Sequence, residues 1–498
     1  MPPNLTIRNL TATALDLQHI ERFAAEHVSR GASTLSNARG ALISFLNATD
    51  FHTKELKPKG DPVSSSPALH RVEPFSTIET DVPAAEPGAE VVRLTFEADG
   101  SKYVADVPAP VGRSVTMRRV DDDGSGDDGR GGGGEFTTVY LPHVGFLAVF
   151  SSAHPGSWMS DLGDDLRLSV LSIPGTHNSP ACYVALPSVR CQFAGIREQL
   201  DNGVRFLDVR VSAESGGDSM PLVHSAFPVS LAGTKYFSDL LAKCYAFLEE
   251  NPGECVLMSV KREGTGRAGD RGMSRYLRDR YVASDPDRWF TGSHVPRLGE
   301  VRGRIVLVRR FRVDERVREE GGGGFGIDAE VWPDNCEDGT VGGGLVRIQD
   351  FYEIDIGRNV EKKIALSRAH LERAAALEHG ATARGDGEAL PLYFNFLSAS
   401  NFFNATCWPE RIAARVNPAI VEYLCTRHGV AGEGEKGREV GDGGTGVVIT
   451  DWVGAHGDWD LIRCVVGMNS RLIVKGEGAS PACAVEVDVE GEKGSEGS

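Results

Sequence analysis

From about residue 160 onward, short apolar runs alternate with longer amphipathic stretches, which restricts this part of the chain to an α/β fold with a mostly parallel sheet. Eight such runs, at 168–173, 204–210, 220–223, 255–260, 304–309, 345–350, 391–397 and 447–452, read as buried strands. Between them, 234–251 places Phe237, Leu240, Leu241, Ala242, Tyr245 and Leu248 on one helical face, and Pro252-Gly253 ends that helix. Segments 359–378 and 409–427 are further helical connections. The pattern predicts a distorted β/α (TIM-type) barrel over 160–475, with its chemistry beyond the carboxyl ends of the strands.

Residues 1–150 have a different texture. Alternating runs at 5–9, 91–98, 102–107, 114–120, 137–141 and 146–150, separated by turn signals such as Asp99-Gly100, predict a small all-β sandwich-like domain ahead of the barrel. The proline-, serine- and charge-rich stretch 52–87 reads as an extended loop, and 121–134 (DDDGSGDDGRGGGG) as a mobile hairpin insertion. Segments 321–324 and 432–446 read as surface loops, and 484–498 as an acidic disordered tail.

Charge narrows the function. With 53 Lys and Arg against 70 Asp and Glu, the net charge of −17 argues against nucleic acid as a partner and against simple adsorption to anionic lipid. The nine cysteines are scattered and odd in number, so no complete disulfide framework is expected. No apolar run has transmembrane length and the first residues show no secretory pattern, so a cytoplasmic or peripheral-membrane location is expected.

The chemistry lies at the strand ends. The run 168–173, stopped by Pro174-Gly175, places His177 just past a strand; 220–223 runs straight into His224; 446–450 runs into Asp451. The strand 204–210 carries Asp208 and Arg210 two apart among apolar residues, and desolvated charges need partners. Taken singly, each has a plain structural explanation: a loop histidine, an ion pair, a turn cap. Together, two imidazoles, carboxylates and a guanidinium at the ends of separate strands are the groups that move protons around a phosphodiester.

The motifs IPGTHNS around His177, GVRFLDVRV, LVH ending in His224, VLMSVKRE, RIVLVRRF, RIQDFY and VVITDW occur in this order. In that order they resemble the phosphatidylinositol-specific phospholipase C superfamily in its bacterial, metal-independent form, over roughly 160–475. The resemblance implies His177 as general base toward the inositol 2-hydroxyl, oriented by Asp451, and His224 as general acid toward the glycerol oxygen, held charged by Asp208. Arg210 is implied as the grip on the phosphate oxygens. Lys261, Arg310, Asp350 and Tyr352 are implied as head-group contacts, with the tyrosine stacking on the ring.

The implied products are diacylglycerol and inositol 1,2-cyclic phosphate, formed from a phosphatidylinositol-type lipid at a membrane surface, with no cofactor and no protein partner inferable. No metal is expected, because Arg210 and Lys261 stand where the calcium-dependent branch has acidic ligands. Asn178 departs from the bacterial pattern, which has aspartate there to support the arginine. A barrel weakened at Asn178 and acting as a lipid- or partner-binding module is the alternative reading. A metal-dependent phosphodiesterase ranks last for want of an acidic cluster. Trp452, His456, Asp458, Trp459 and Asp460 match no zinc spacing, and exposed tryptophans there would touch lipid.

Overall fold

A computed structural model describes residues 2–29, 54–120, 136–151, 154–214, 219–355, 358–379, 390–430 and 442–476. The glycine-rich 121–134 and the tail 484–498 lie outside them.

Among the described residues, ten strands precede residue 152: β1 (Asn4–Asn9), β2 (Leu15–Ser29), β3 (Lys54–Val72), β4 (Thr77–Pro83), β5 (Glu90–Ala98), β6 (Ser101–Val107), β7 (Ser114–Thr116), β8 (Arg118–Val120), β9 (Phe136–Leu141) and β10 (Phe146–Ser151). They form two five-stranded sheets, β4-β1-β10-β9-β7 and β3-β2-β5-β6-β8. Two expectations are corrected here. The stretch 52–87 holds two strands rather than a loop. β3 and β4 are both edge strands, and a strand bonded on one side only tolerates proline and a polar, exposed face. The run 114–120 is two strands: β7 pairs with β9 in one sheet and β8 with β6 in the other.

In the sheet containing β10, the neighbouring strands β9 and β10 are covered on both faces, which explains why every residue of β9 is buried. Tyr140, Leu147 and Val149 face the second sheet, with Leu94 and Phe96. The alternate positions Val139, Leu141, Ala148 and Phe150 face the helices Pro409–Thr426 and Asp460–Gly467, through Val416, Ile420, Leu424 and Val465. Arg8 on β1 reaches the far end of the first of these helices, donating to the carbonyls of Cys425 at 3.0 Å and His428 at 2.6 Å.

The remaining strands build one curled sheet: β11 (Ile173–Thr176), β12 (Phe206–Val211), β15 (Val256–Arg262), β16 (Trp289–Phe290), β17 (Ile305–Arg310), β18 (Ile327–Asp328), β19 (Cys336–Val341), β20 (Val346–Asp350), β21 (Leu392–Phe396) and β22 (Val447–Thr450), with a separate hairpin of β13 (Val223–His224) and β14 (Phe227–Pro228). The order is β16-β17-β15-β12-β11-β22-β21-β20-β19, with β18 beside β17. All pairs are parallel except β19–β20. Among the described residues no ladder joins the two ends, so the barrel is open on one side.

Two strand expectations shift. Leu168–Val170 is a buried helical turn, and the strand begins at Ile173 and runs through Pro174 and Gly175 instead of ending there. A short apolar run cannot by itself separate a buried turn from a strand. Gly175 belongs in the strand because a Cβ there would stand 2.9 Å from Phe206 Cβ and 3.1 Å from Ile449 Cγ1. The run 220–223 is not a barrel strand; it touches β12 by one bridge, Val211 to Leu222, and feeds the β13–β14 hairpin. The described part of 432–446, from Asp442 onward, is buried rather than a surface loop.

Candidate active site

Parallel register carries the ionisable residues to one end. His177 follows β11, Asp208 and Arg210 lie on β12, Lys261 on β15 with Glu263 just after it, Arg310 closes β17, Asp350 closes β20 and Asp451 follows β22. His177, Arg210, His224, Lys261, Arg310, Asp350 and Tyr352 line one cleft of about 500 Å³. The imidazoles of His177 and His224 stand edge to face with centroids 5.7 Å apart.

His177 Nδ1 is 2.9 Å from Asp451 Oδ1. Burial pushes the Asp451 carboxyl up, and His177 opposes that. Gln192 holds the pair in place: its amide donates to the carbonyls of His177 at 2.7 Å and Thr450 at 2.9 Å, and to Asp451 Oδ1 at 3.4 Å. From below, Asn417 donates to the Asp451 carbonyl at 3.0 Å and accepts from the Thr450 hydroxyl at 2.6 Å.

Arg210 lies between two carboxylates, donating through Nε and Nη2 to Asp208 Oδ2 at 3.1 Å and through Nη1 to Glu263 Oε1 at 3.3 Å. Arg310 Nη1 takes the other Asp208 oxygen at 3.3 Å. Burial works to raise the Asp208 carboxyl, but Arg210 and Arg310 outweigh it and hold it below the usual range. Glu263 is held down to about 2, burial being outweighed by Arg210 and Lys261, whose Nζ is 2.6 Å away. Glu263 also accepts from Ser225 N at 2.8 Å, which ties the His224 turn to the arginine.

Asp208 therefore does not hold His224 charged; both its oxygens serve the arginines and the Asn178 N–H. His224 Nδ1 instead lies 2.8 Å from the Val189 carbonyl. Burial and then the charge of Arg210 hold its imidazole down to about 3, so the ring is neutral in the free cleft. Nor does Asn178 support Arg210 through its side chain. Its backbone has φ of 37°, a region asparagine tolerates, and both side-chain amide atoms are buried without a hydrogen-bond partner. Asp208 and Glu263 supply the negative charge beside the guanidinium. The same pairing leaves a poor calcium site, since the nearby carboxylates are already neutralised by Arg210, Arg310 and Lys261.

At the other end of the cleft, Trp332 donates to Asp350 Oδ2 at 3.0 Å, and the Arg310 guanidinium stacks 3.6 Å over its ring. The Tyr352 hydroxyl donates to Asp334 at 2.6 Å. Arg309 turns away to Asp328 and Glu330, which leaves Arg310 as the residue facing the cleft. Of the cluster at 452–460, Trp459 is buried and Asp460 is taken by Arg113 N and Ser114, so these two are packing, whereas His456 and Asp458 are exposed and Trp452 lies against Phe193 and Arg190. The aromatic rim is elsewhere: Phe402 at the mouth stacks on Phe227 at 5.4 Å, beside Phe403, which is 94% exposed. Gln192, Asn417, Trp332, Asp334 and these phenylalanines carried no signal in the motifs; Glu263 did, as the last residue of VLMSVKRE.

Residues 166–311 match the family described as phosphatidylinositol-specific phospholipase C, X domain. The 1-phosphatidylinositol phosphodiesterase of Staphylococcus aureus (strain Newman) is 28% identical over 295 residues, which cover 55% of this chain and 84% of that protein. The protein of the same name from Listeria monocytogenes is 29% identical over 170 residues, 32% of this chain and 50% of that one. Among solved structures, a phosphatidylinositol-specific phospholipase C from S. aureus with pentafluoro-Phe incorporated superposes with a TM-score of 0.50 at 22% identity, covering 63% of this chain and 97% of that one. That likeness supports the barrel fold.

Proposed function

We propose that this chain, a member of the phosphatidylinositol-specific phospholipase C superfamily through its X domain, cleaves phosphatidylinositol or a related inositol lipid to diacylglycerol and inositol 1,2-cyclic phosphate. The observation that carries this is the placement of His177 and His224 in one open cleft with Arg210 lining the same space.

His177 takes the proton of the inositol 2-hydroxyl, and the oxygen attacks phosphorus within the same molecule, which saves the entropy of bringing in a separate nucleophile. Asp451 stabilises the imidazolium that forms. Arg210 neutralises charge growing on the phosphate oxygens. The P–O bond to glycerol breaks as His224 protonates the leaving oxygen. The arriving phosphodiester anion offsets Arg210, one of the charges that keep His224 neutral, so the substrate itself favours loading the acid. Lys261, Arg310, Asp350 and Tyr352 hold the inositol ring, with Trp332 fixing Arg310 and Asp350.

The enzyme works at a membrane surface as a peripheral protein, with Phe227, Phe402 and Phe403 toward the lipid; among the described residues no helix is long and apolar enough to cross a membrane. We assign 1–150 as a sandwich-like domain and 160–475 as the catalytic barrel; each has an apolar core of its own, and a third core joins them across β9, β10 and the helices Pro409–Thr426 and Asp460–Gly467. Phosphorus NMR of phosphatidylinositol vesicles, with and without chelator, tests the reading. Cyclic inositol phosphate is expected in both cases and is lost in His177→Ala and His224→Ala; release that survives either substitution overturns it.

A further inference from the structure

The catalytic imidazoles have a neighbour that proton transfer does not use. Cys191 is fully buried beside them, its Sγ 3.5 Å from His224 Nδ1 and 3.4 Å from the Val189 carbonyl. Its backbone is pinned on both sides: Cys191 N donates to the Ala181 carbonyl at 3.0 Å, and Trp452 N donates to the Cys191 carbonyl at 2.8 Å. One ring nitrogen of His177, one of His224 and the Cys191 sulfur all lie within 4.8 Å of one another.

We propose that His177, Cys191 and His224 form an inhibitory site for a thiophilic divalent cation such as Zn2+, which shuts the cleft down reversibly. The proposal rests on the reading of this cleft as the active site. Two nitrogens and one sulfur are a donor set that zinc prefers and that calcium and magnesium do not. Zinc–nitrogen bonds of about 2.0 Å and a zinc–sulfur bond of about 2.3 Å set donor separations of about 3.5 Å, so the donors close by up to roughly 1 Å on binding. The Nδ1 of His177 is engaged by Asp451, an arrangement that aims Nε2 of a histidine at a metal. Three protein donors leave a fourth position open toward the cleft.

Binding forms a metal–sulfur bond as the Cys191 S–H bond breaks, and the proton passes to water. The ring lone pairs needed to accept and return protons are then occupied. Asp208, Glu263 and Asp451 offset Arg210, Lys261 and Arg310 around the same point, so the added charge is not met by cations alone.

The full-length reduced chain, freed of metal, is titrated with Co2+ as a spectroscopic probe, and turnover on phosphatidylinositol vesicles is then followed against buffered free Zn2+. The wild type is expected to show a thiolate-to-cobalt band in the near ultraviolet and progressive loss of turnover with Zn2+. Cys191→Ser is expected to keep metal-free turnover, lose the band and need at least the roughly tenfold more Zn2+ that even an outer change around a metal site costs. Absence of the band, equal Zn2+ sensitivity in Cys191→Ser, or activation by Zn2+ overturns the proposal. The cobalt band is read without substrate, so a chain that failed to cleave phosphatidylinositol would still decide whether the metal binds.

Discussion

Asp451 Oδ1 meets His177 Nδ1 at 2.9 Å, and the carboxylate is almost wholly withdrawn from solvent. A buried anion at that position selects the tautomer with a free Nε2. Asp451→Asn keeps the shape and removes the charge. It is expected to lower kcat by roughly a hundredfold or more with little change in KM, measured as cyclic phosphate release under saturating vesicles.

In the proposed mechanism Arg210 meets the phosphate charge, and its cation is part of the depression of His224. Replacing it with methionine is expected to lower kcat/KM by roughly a hundredfold or more. In the same variant the His224 imidazole rises from about 3 toward its ordinary value, since burial remains but the neighbouring cation is gone. A histidine NMR titration of Arg210→Met reads this directly; an unmoved His224 resonance counts against the electrostatic link.

The depressed imidazole also sets an acid limit on stability. In the unfolded chain His224 takes its proton near 6.5, whereas in the fold it resists protonation until about 3. Between those values the unfolded state binds the extra proton, so stability falls as pH drops through that window. His224→Gln is expected to show a shallower loss, read as the pH dependence of the urea midpoint.

Trp332 joins the two sides of the head-group end by donating to Asp350 and supporting Arg310 on its face. Trp332→Ala is expected to raise KM about tenfold, the scale of one hydrogen bond plus one cation–π contact, while kcat changes little. A fall in kcat with KM unchanged would place Trp332 with the proton-transfer groups instead.

Gly175 lets β11 sit against Phe206 and Ile449. Gly175→Ala is expected to cost about 1–3 kcal/mol by overpacking, visible as a lower thermal midpoint, and to displace His177 two residues on.

The motifs at β11, β12, β15 and β22 made the proton-moving groups legible, because a charged residue inside an apolar run has few structural reasons to be there. What stayed hidden has physical causes. Asp208 turned out to serve Arg210 and Arg310 because a strand pattern tells which side chains share a face but not which of several cations is nearest. Trp332 and Asp334 come from the stretch between β18 and β19, whose place at the open side of the sheet no periodicity encodes. β3 was missed because an edge strand in water can be built from proline, serine and lysine. Leu168–Val170 read as strand because burial, not strand geometry, selects the apolar residues Leu168, Val170 and Leu171 around a buried serine.

The strands β9 and β10 are covered on both faces, and their outer side is the floor on which the helix Pro409–Thr426 stands. That helix carries Asn417, whose amide grips the main chain at Asp451. Excising the first 150 residues would strip Val416, Ile420 and Leu424 of their cover and loosen the footing of Asp451 beside His177, so this barrel leans on a floor that its own residues do not supply.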